Sequence, residues 1–392
     1  KLDLTLDMDV ALDEAEAAFD LDRSDTGRVK ASMNVKGKPN NPQVNLRADY
    51  GGGTIAGRQV GHVGLETKLA DRVIRLENLT AVTNVGLLVL SGQADLRRVL
   101  PNGILGPPGD WDTPAFNGRL RLESLDLSSI SPAVNSISGR MDALMNFKGS
   151  GLSMETLKAE ASIMIAIDDF RTGGMHQSTG IRSWVDGRVQ AGTFWLDSMA
   201  VEAADARASA RGSVDLKNDA VDARFSMETH EVASLLSLFG LPHMKGAVSV
   251  QGRIQGSTTN PMLNISSTGH DVRFNDLDVG NIMLDAGLST AGRLDVSNLT
   301  VDNKGSSLNA QGEMQLFGRP FELHPHMPLN ARLELSNVEY SDFYPAIHPD
   351  ANIHGLLGGD VVLSGSLRSL EARADVLAKG VAVEQVRLGN LA

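Results

Sequence analysis

The chain repeats one short strand pattern four times at long and nearly constant intervals. Each copy begins with a glycine and ends with a second glycine ten residues later, at Gly27/Gly37, Gly139/Gly149, Gly246/Gly256 and Gly355/Gly365. The first glycines lie 112, 107 and 109 residues apart. Apolar or small residues occupy alternate positions between the glycines, as Val29, Ala31, Met33 and Val35 do in the first copy. Such alternation predicts a strand with one apolar and one polar face, and its long-period repetition predicts an elongated stacked array.

The composition indicates what kind of surface these strands present. Aromatic residues make up only 4% of the chain, which also has 40 glycines, so aliphatic side chains and methionines supply the apolar surface. A soft aliphatic surface of this kind suits flexible hydrocarbon better than a rigid ligand. The net charge of −12 is dispersed, which favours solubility and argues against nucleic acid as a partner. The chain has no cysteine, which excludes disulfides and thiolate metal sites.

The two ends of the sequence lie inside repeat-like strands. It starts at Lys1 without a signal-like segment, and no stretch approaches ~18 uninterrupted apolar residues. We therefore expect a piece of a longer protein, with any anchor or export signal in the missing part.

The first repeat gives the expected plan of one unit. It predicts a strand over residues 28–36, a turn over 38–42, a strand over 43–50 and a break at the glycines 51–53. Residues 73–75 and 79–81 form two separate alternating runs, which brings the count to about seven strands per repeat. Short helical segments are expected over residues 127–136, 232–239 and 340–348. Turn-like connections imply antiparallel neighbours.

These observations predict an all-β fold with a few short helices. We expect an elongated, repetitive, mostly antiparallel and curved β-sheet that forms a taco-shaped groove with ~109-residue repeats. The expected divisions are the end of a preceding repeat (1–26), three repeats (27–138, 139–245 and 246–354) and a truncated fourth (355–392). A flat sheet would expose too much apolar surface, so we expect it to curl into a trough. Periodicity alone also allows a dry two-sheet core.

The opening and closing strands of the repeats resemble a known family. The opening strand 27–37 with Pro42, the closing strands 90–96, 210–216 and 310–316, and the helical segment within 231–246 are similar to those of the translocation and assembly module family, TamB, among the AsmA-like envelope proteins of Gram-negative bacteria. The resemblance implies a long, curved sheet with an apolar groove, anchored in the inner membrane at its N-terminus and crossing the periplasm. It also implies transfer of phospholipids to the outer membrane and, for TamB, an Omp85-type barrel partner.

The expected function is bridge-like lipid transfer without catalysis, cofactor or metal. Acyl chains would slide along the apolar groove, since each step exchanges equivalent contacts and each buried CH₂ contributes ~0.8 kcal/mol. The expected groove-lining residues are the apolar positions of the opening strands and of the strands that follow two of them: Val29, Met33, Val35, Val44, Leu46, Met141, Met145, Phe147, Val248, Val250, Ile254, Leu263, Ile265, Leu357, Val361 and Leu363.

Two rival functions stay open at this point. The sheet could be an assembly factor or scaffold that binds β-strands of outer-membrane barrel proteins by strand addition, together with an Omp85-type partner. An enzyme or adhesin on a parallel β-helix is the weaker rival, because its coils would repeat every ~20–30 residues.

Other side chains with possible chemistry have a plainer interpretation. His324 and His326 flank a proline but lack further ligands, so a metal site is not expected. The carboxylates Asp168/Asp169 and Asp276/Asp278 are expected to be solvated turn residues rather than an acid–base pair. Trp184 and Trp195 are expected to pack in the middle strands, with groove constriction as the alternative.

Overall fold

The computed structural model describes residues 1–12, 14, 26–55, 58–110, 113–130, 137–171, 178–237, 244–275, 277–319, 322–323, 327–339, 353–366, 369–383 and 386–391. Strands account for 79% of the described residues and helices for 3%, which confirms the all-β prediction. The chain divides into two compact units, one formed by Lys1–Gly173 with Gln177–Val201 and the other mainly by Glu202–Ala392. Each unit is described separately below.

The first unit is built from strands that follow one another in chain order. They are β1 (Leu2–Ala11), β2 (Arg28–Lys38), β3 (Asn41–Ile55), β4 (Arg58–Ala70), β5 (Val73–Thr83), β6 (Gly86–Asp95), β7 (Ala115–Asp126), the short helix α1 (Leu127–Ile130), β8 (Ser138–Ser150), β9 (Lys158–Arg171), β10 (Thr179–Gln190) and β11 (Thr193–Ala203), which ends at the unit boundary.

The second unit continues in the same order. It contains β12 (Ala206–Asp215), β13 (Ala220–Thr229), the short helix α2 (Val232–Ser237), β14 (Met244–Gly256), β15 (Pro261–Phe274), β16 (Leu277–Leu288), β17 (Arg293–Asn303), β18 (Ser306–Gln315), the small hairpin β19 (Phe317–Arg319) and β20 (Glu322–Leu323), β21 (Pro328–Glu339), β22 (Ile353–Ser366), β23 (Ser369–Val383) and β24 (Val386–Leu391).

Strand pairing within each unit is antiparallel between sequential neighbours. From β1 to β10 each strand pairs with the next, and the same holds from β12 to β18 and from β21 to β24, with β18 paired to β21. Within each unit, the described main strands form an open sheet that does not close on itself. This meander confirms the antiparallel arrangement that the turn-rich sequence predicts.

The repeated glycines have a backbone role that explains their spacing. The four opening glycines all have positive φ, and three of them (Gly139, Gly246 and Gly355) lie at a register shift where β8, β14 or β22 begins. A bulge with positive φ strongly favours glycine. The closing glycines Gly37, Gly256 and Gly365 also have positive φ and lie beside hairpin turns.

Two strand assignments differ from the sequence prediction. Residues 73–75 and 79–81 belong to one strand, β5, in which a register shift between Leu76 and Leu79 changes the phase of the alternation. The first repeat therefore has six strands between residues 28 and 126, not seven. The glycines 51–53 do not break the chain, because β3 runs through them to Ile55. A Cβ on Gly53 would lie 2.1 Å from the Thr26 carbonyl oxygen, so a close backbone approach explains that glycine.

The short helices agree with the prediction where they are described. Helix α1 covers the start of the segment 127–136 and α2 covers residues 232–237 of the segment 232–239. The segment 340–348, together with His324, His326 and Asp276, lies outside the described residues.

The loop between β6 and β7 is held against neighbouring hairpins. Val99 is fully buried, Arg72 donates hydrogen bonds to the carbonyl oxygens of Leu100 and Pro101, and the amide of Ile104 donates to the carbonyl of Asn40. At the start of this loop the Arg97 guanidinium and backbone N–H donate to the Asp95 carboxylate, which lowers its pKa from 3.8 to about 2.

The low pKa of Asp95 gives the loop a pH-dependent contact. A carboxyl whose pKa is lower in the folded state contributes stability above about pH 4 and loses it as the pH falls towards 2. We expect an NMR titration of the Asp95 carboxyl to have its midpoint near 2, and to move towards 3.8 in Arg97→Gln. A midpoint near 3.8 in the parent chain would show that the contact is absent. The effect on global stability is expected to be small because the pair is largely solvated.

Candidate functional site

One face of each unit carries most of the apolar strand residues. Cross-strand partners in an antiparallel sheet project to the same side, so the register shows which side chains share a face. In the first unit Val29, Met33 and Val35 pair with Tyr50, Leu46 and Val44. We call the side that carries these six residues, and its counterpart in the second unit defined by Val250 and Val361, the apolar face. The opposite side is the polar face.

All sixteen predicted residues lie on the apolar face of their own unit. The register carries the face from β2 through successive strands to β8, which bears Met141, Met145 and Phe147. In the second unit it runs in the same way from Val250 on β14 to Val361 on β22. Every one of the sixteen side chains is half-buried.

The apolar face also runs through the middle strands, which the predicted set leaves out. One row crosses seven strands of the first unit through Leu65, Leu79, Leu90, Leu120, Met145, Ile163 and Val185. A row of the second unit crosses six strands through Leu284, Leu299, Ala310, Leu333, Val361 and Ala374. The signal for these additional residues is the same period-two alternation that identifies the opening strands.

No second layer covers this face among the described residues. The described strands pack substantially only against their sheet neighbours, and α1 and α2 pack on the strands that follow them. Buried apolar side chains are few in this part of the chain: Tyr50, Val99, Ala206, Val232, Val272, Val338 and Val381. A two-sheet core would bury whole rows, so the described strands do not form one.

The solvent-accessible area leads to the same conclusion. The chain exposes 24289 Å², whereas two separate compact globules of half its mass would expose roughly 17,900 Å². The apolar face is nonetheless less exposed than the polar face along most strands, as the alternating pattern of β10 shows. Side chains crowd together on the concave side of a curved sheet and spread apart on the convex side. The apolar face is therefore the concave lining of a trough within each unit.

Aromatic rings on the apolar face lie over glycines of neighbouring strands. A Cβ on Gly118 would lie 2.4 Å from the Phe147 ring, and one on Gly252 would lie 2.3 Å from the Phe225 ring. Phe116 lies over Gly149 in the same way, with its ring centroid 6.4 Å from that of Phe147. Each glycine allows a ring to lie along the sheet rather than project into the trough. In the sequence, the only sign of these ring–glycine contacts is a glycine at a position where the alternation predicts an apolar residue.

The polar face is stabilised by cross-strand ion pairs in water. Arg47 lies 3.0 Å from Glu66, and the Arg332 and Asp360 side chains are also 3.0 Å apart. Arg253 donates to Asp222 at 2.8 Å and thereby lowers the pKa of that carboxyl. Exposed pairs of this kind each contribute ~0–1 kcal/mol, so they identify a solvated face rather than a reactive site.

Trp184 and Trp195 lie on the polar face, so neither constricts the trough. Trp184 pairs in register with Met164, between the apolar-face positions Ile163 and Ile165, and is 38% exposed. Arg188 lies over the Trp195 ring at 5.3 Å.

The remaining candidate side chains are solvated. Asp168 and Asp169 are exposed near the end of β9, with Asp169 3.7 Å from Arg140. Asp278 pairs with Lys304 at 2.9 Å, which lowers its pKa. Within the described ranges, no group of three or more His, Cys, Asp or Glu side chains is placed to hold a metal ion.

In the part of the chain that the structure describes, no helix has the length and apolar character needed to cross a membrane. Comparison of the chain with family models, with curated proteins and with solved structures found no match.

Proposed function

We propose that the apolar face binds the acyl chains of phospholipids and conducts them as part of a bridge between two membranes. The observation that carries this proposal is the half-buried, mainly apolar face that crosses the sheet of each unit without a covering layer among the described residues. Acyl chains need only dispersion contacts and exclusion of water, and aliphatic residues supply both at every row.

The geometry of the trough favours a mobile chain over a fixed ligand. Strands along one row present similar aliphatic residues, such as Leu120 with Met145 and Leu299 with Leu333. Each buried CH₂ contributes ~0.8 kcal/mol, so a two-tailed lipid is held without a specific pocket and exchanges equivalent contacts as it moves. Its charged headgroup would remain in water at the open side of the trough. No covalent chemistry is required.

The resemblance to TamB supplies the proposed setting. The bridge would lie in the periplasm of a Gram-negative bacterium, anchored in the inner membrane by a segment outside this sequence, and would deliver phospholipids to the outer membrane. An Omp85-type barrel is the proposed protein partner there.

A second candidate function is strand binding during assembly of barrel proteins. Among the described strands β1 pairs with β2, and a further antiparallel strand would pair with its other edge. Its side chains Leu4 and Leu6 are each 55% exposed on the apolar face. An extended segment could add to such an edge.

The first test is mass spectrometry of lipids that co-purify with the 392-residue chain, extracted without detergent. We expect several phospholipids per chain, because every row of the trough offers equivalent contacts. A folded and lipid-free chain would contradict the conduit. Peptides taken from strands of unfolded barrel proteins could instead bind along β1 and leave the bound lipid in place. That result would support strand binding at the β1 edge and would leave the lipid path unaffected.

A further inference from the structure

The polar face of the first unit carries a row of apolar side chains that the trough does not use. Val89 on β6, Leu144 on β8, Met164 on β9 and Trp184 on β10 are aligned in register, with Arg121 of β7 completing the row. We call these four apolar residues the outer row. They lie on the side of the sheet opposite to the proposed lipid path, so the inference below does not depend on that path.

The outer row is exposed and borders a shallow cleft. Met164 is 46% exposed and Trp184 is 38% exposed, while Leu144 is half-buried. A cleft of about 530 Å³ is lined by Leu144, Met164 and Trp184 together with charged neighbours. On a solvated face these side chains gain little from their position in the isolated chain. Tryptophan, methionine and arginine are enriched at the centres of protein interfaces.

The size of the row selects the kind of partner. Five strands at ~4.8 Å spacing give a length of ~19 Å, and a width of ~10 Å gives about 200 Å². A stable dimer needs about 800 Å² from each partner, about four times the area of the row, whereas a single secondary-structure element of a partner can bind within the row itself. An α-helix of about 13 residues has the length of the row, and its turns repeat every ~5.4 Å, close to the strand spacing.

Charges beside the row specify the helix further. Asp142 on β8 and Arg182 on β10 each pair in register with Ala166 of β9, so they lie on the same flank about two strand spacings apart. Asp142 accepts the Ser124 backbone N–H at 2.7 Å, and neither side chain has an ion-pair partner among the described residues. Two strand spacings correspond to about two helical turns, or seven residues.

The opposite flank carries the reverse arrangement of charge. There, Arg119 lies on β7 and Asp186 on β10, three strand spacings apart, and Asn146 and Ser162 align between them. A helix turned end for end would place its basic residue near Asp186 and its acidic residue near Arg119. A helix with this charge order is therefore complementary to the charges beside the outer row in both orientations. A helix with the charges exchanged is repelled in both orientations.

We propose that the outer row is the docking site for an amphipathic helix of a partner protein, which carries a basic and an acidic residue seven positions apart beside its apolar stripe. The contact adds a protein partner on the polar face while the apolar face stays free. The experiment uses a fluorescein-labelled, hydrocarbon-stapled helix of 15 residues. Four leucines form its apolar stripe, and a Lys and a Glu lie seven positions apart beside that stripe. A second helix has the Lys and the Glu exchanged.

Fluorescence anisotropy is expected to detect binding of the first helix and at least tenfold weaker binding of the exchanged one. Trp184→Ala should weaken the first helix at least tenfold, and Val362→Ala on the polar face of the second unit should have no effect. The double variant Asp142→Lys/Arg182→Glu should favour the exchanged helix relative to the parent chain. Equal binding of both helices, no binding, or full binding by Trp184→Ala would overturn the proposal. So would quenching of Trp184 fluorescence by chitotriose without helix binding, which would assign the row to a glycan.

Discussion

Val361→Asp is expected to slow lipid movement past β22 strongly while the sheet stays folded. Val361 lies between Leu333 and Ala374 on the apolar face and is half-buried. A carboxylate in contact with acyl chains costs about 2.5–3.5 kcal/mol, which corresponds to passage slower by on the order of 100-fold at this point. The measurement is the rate at which the chain transfers a fluorescent phospholipid between vesicles.

The neighbouring residue supplies a matched control. Val362 has the same side chain on the same strand but lies on the polar face, is 47% exposed and pairs in register with Arg332 and Arg373. Val362→Asp should therefore leave both lipid transfer and unfolding temperature close to those of the parent. Val250→Asp and Gln251→Asp form an equivalent pair on β14. If Val361→Asp transfers lipid as fast as Val362→Asp, the apolar face is not the path, and strand binding becomes the better account.

The sequence allows the fold class to be predicted because alternation and glycine spacing depend on local geometry. Val29 to Val35 identify a strand and its apolar face without knowledge of any neighbour. The β5 assignment failed because a bulge between Leu76 and Leu79 is a register property of paired strands, and it changes the phase of the alternation. The break predicted at Gly53 was wrong because this glycine allows a close approach to the Thr26 backbone. That contact joins residues far apart in the sequence, so no local pattern indicates it.

The outer row shows why site prediction is harder than strand prediction. Met164 lies in the continuous apolar run 163–167, and Leu144 breaks the alternation of its strand, so each is visible in the sequence as an exception. Nothing local indicates that the two are adjacent or that Trp184 extends the row. That alignment depends on the register of three strands.

Gly252→Val is expected to narrow the trough of the second unit and to destabilise its sheet. Gly252 pairs in register with Phe225, whose ring occupies the space that a Cβ would need. The backbone at Gly252 is not in the left-handed region, so the effect of the substitution comes from the ring and not from strain. Overpacking of this kind costs about 1–3 kcal/mol, measurable as a lower free energy of unfolding in urea.

A second substitution separates the effect on the width of the trough from the effect on the stability of the sheet. Phe225→Ala in the Gly252→Val background removes the clash, and the double-mutant cycle should give a coupling of about 0.5–3 kcal/mol. Transfer of the fluorescent phospholipid should fall in Gly252→Val, where the displaced ring projects into the trough, and should recover in the double variant. Gly118 and Phe147 provide the same test in the first unit. Because the double variant loses the ring as well as the clash, recovery of transfer without full recovery of stability would assign the transfer defect to the width of the trough. Undiminished transfer in Gly252→Val would instead mean that acyl chains do not pass this row.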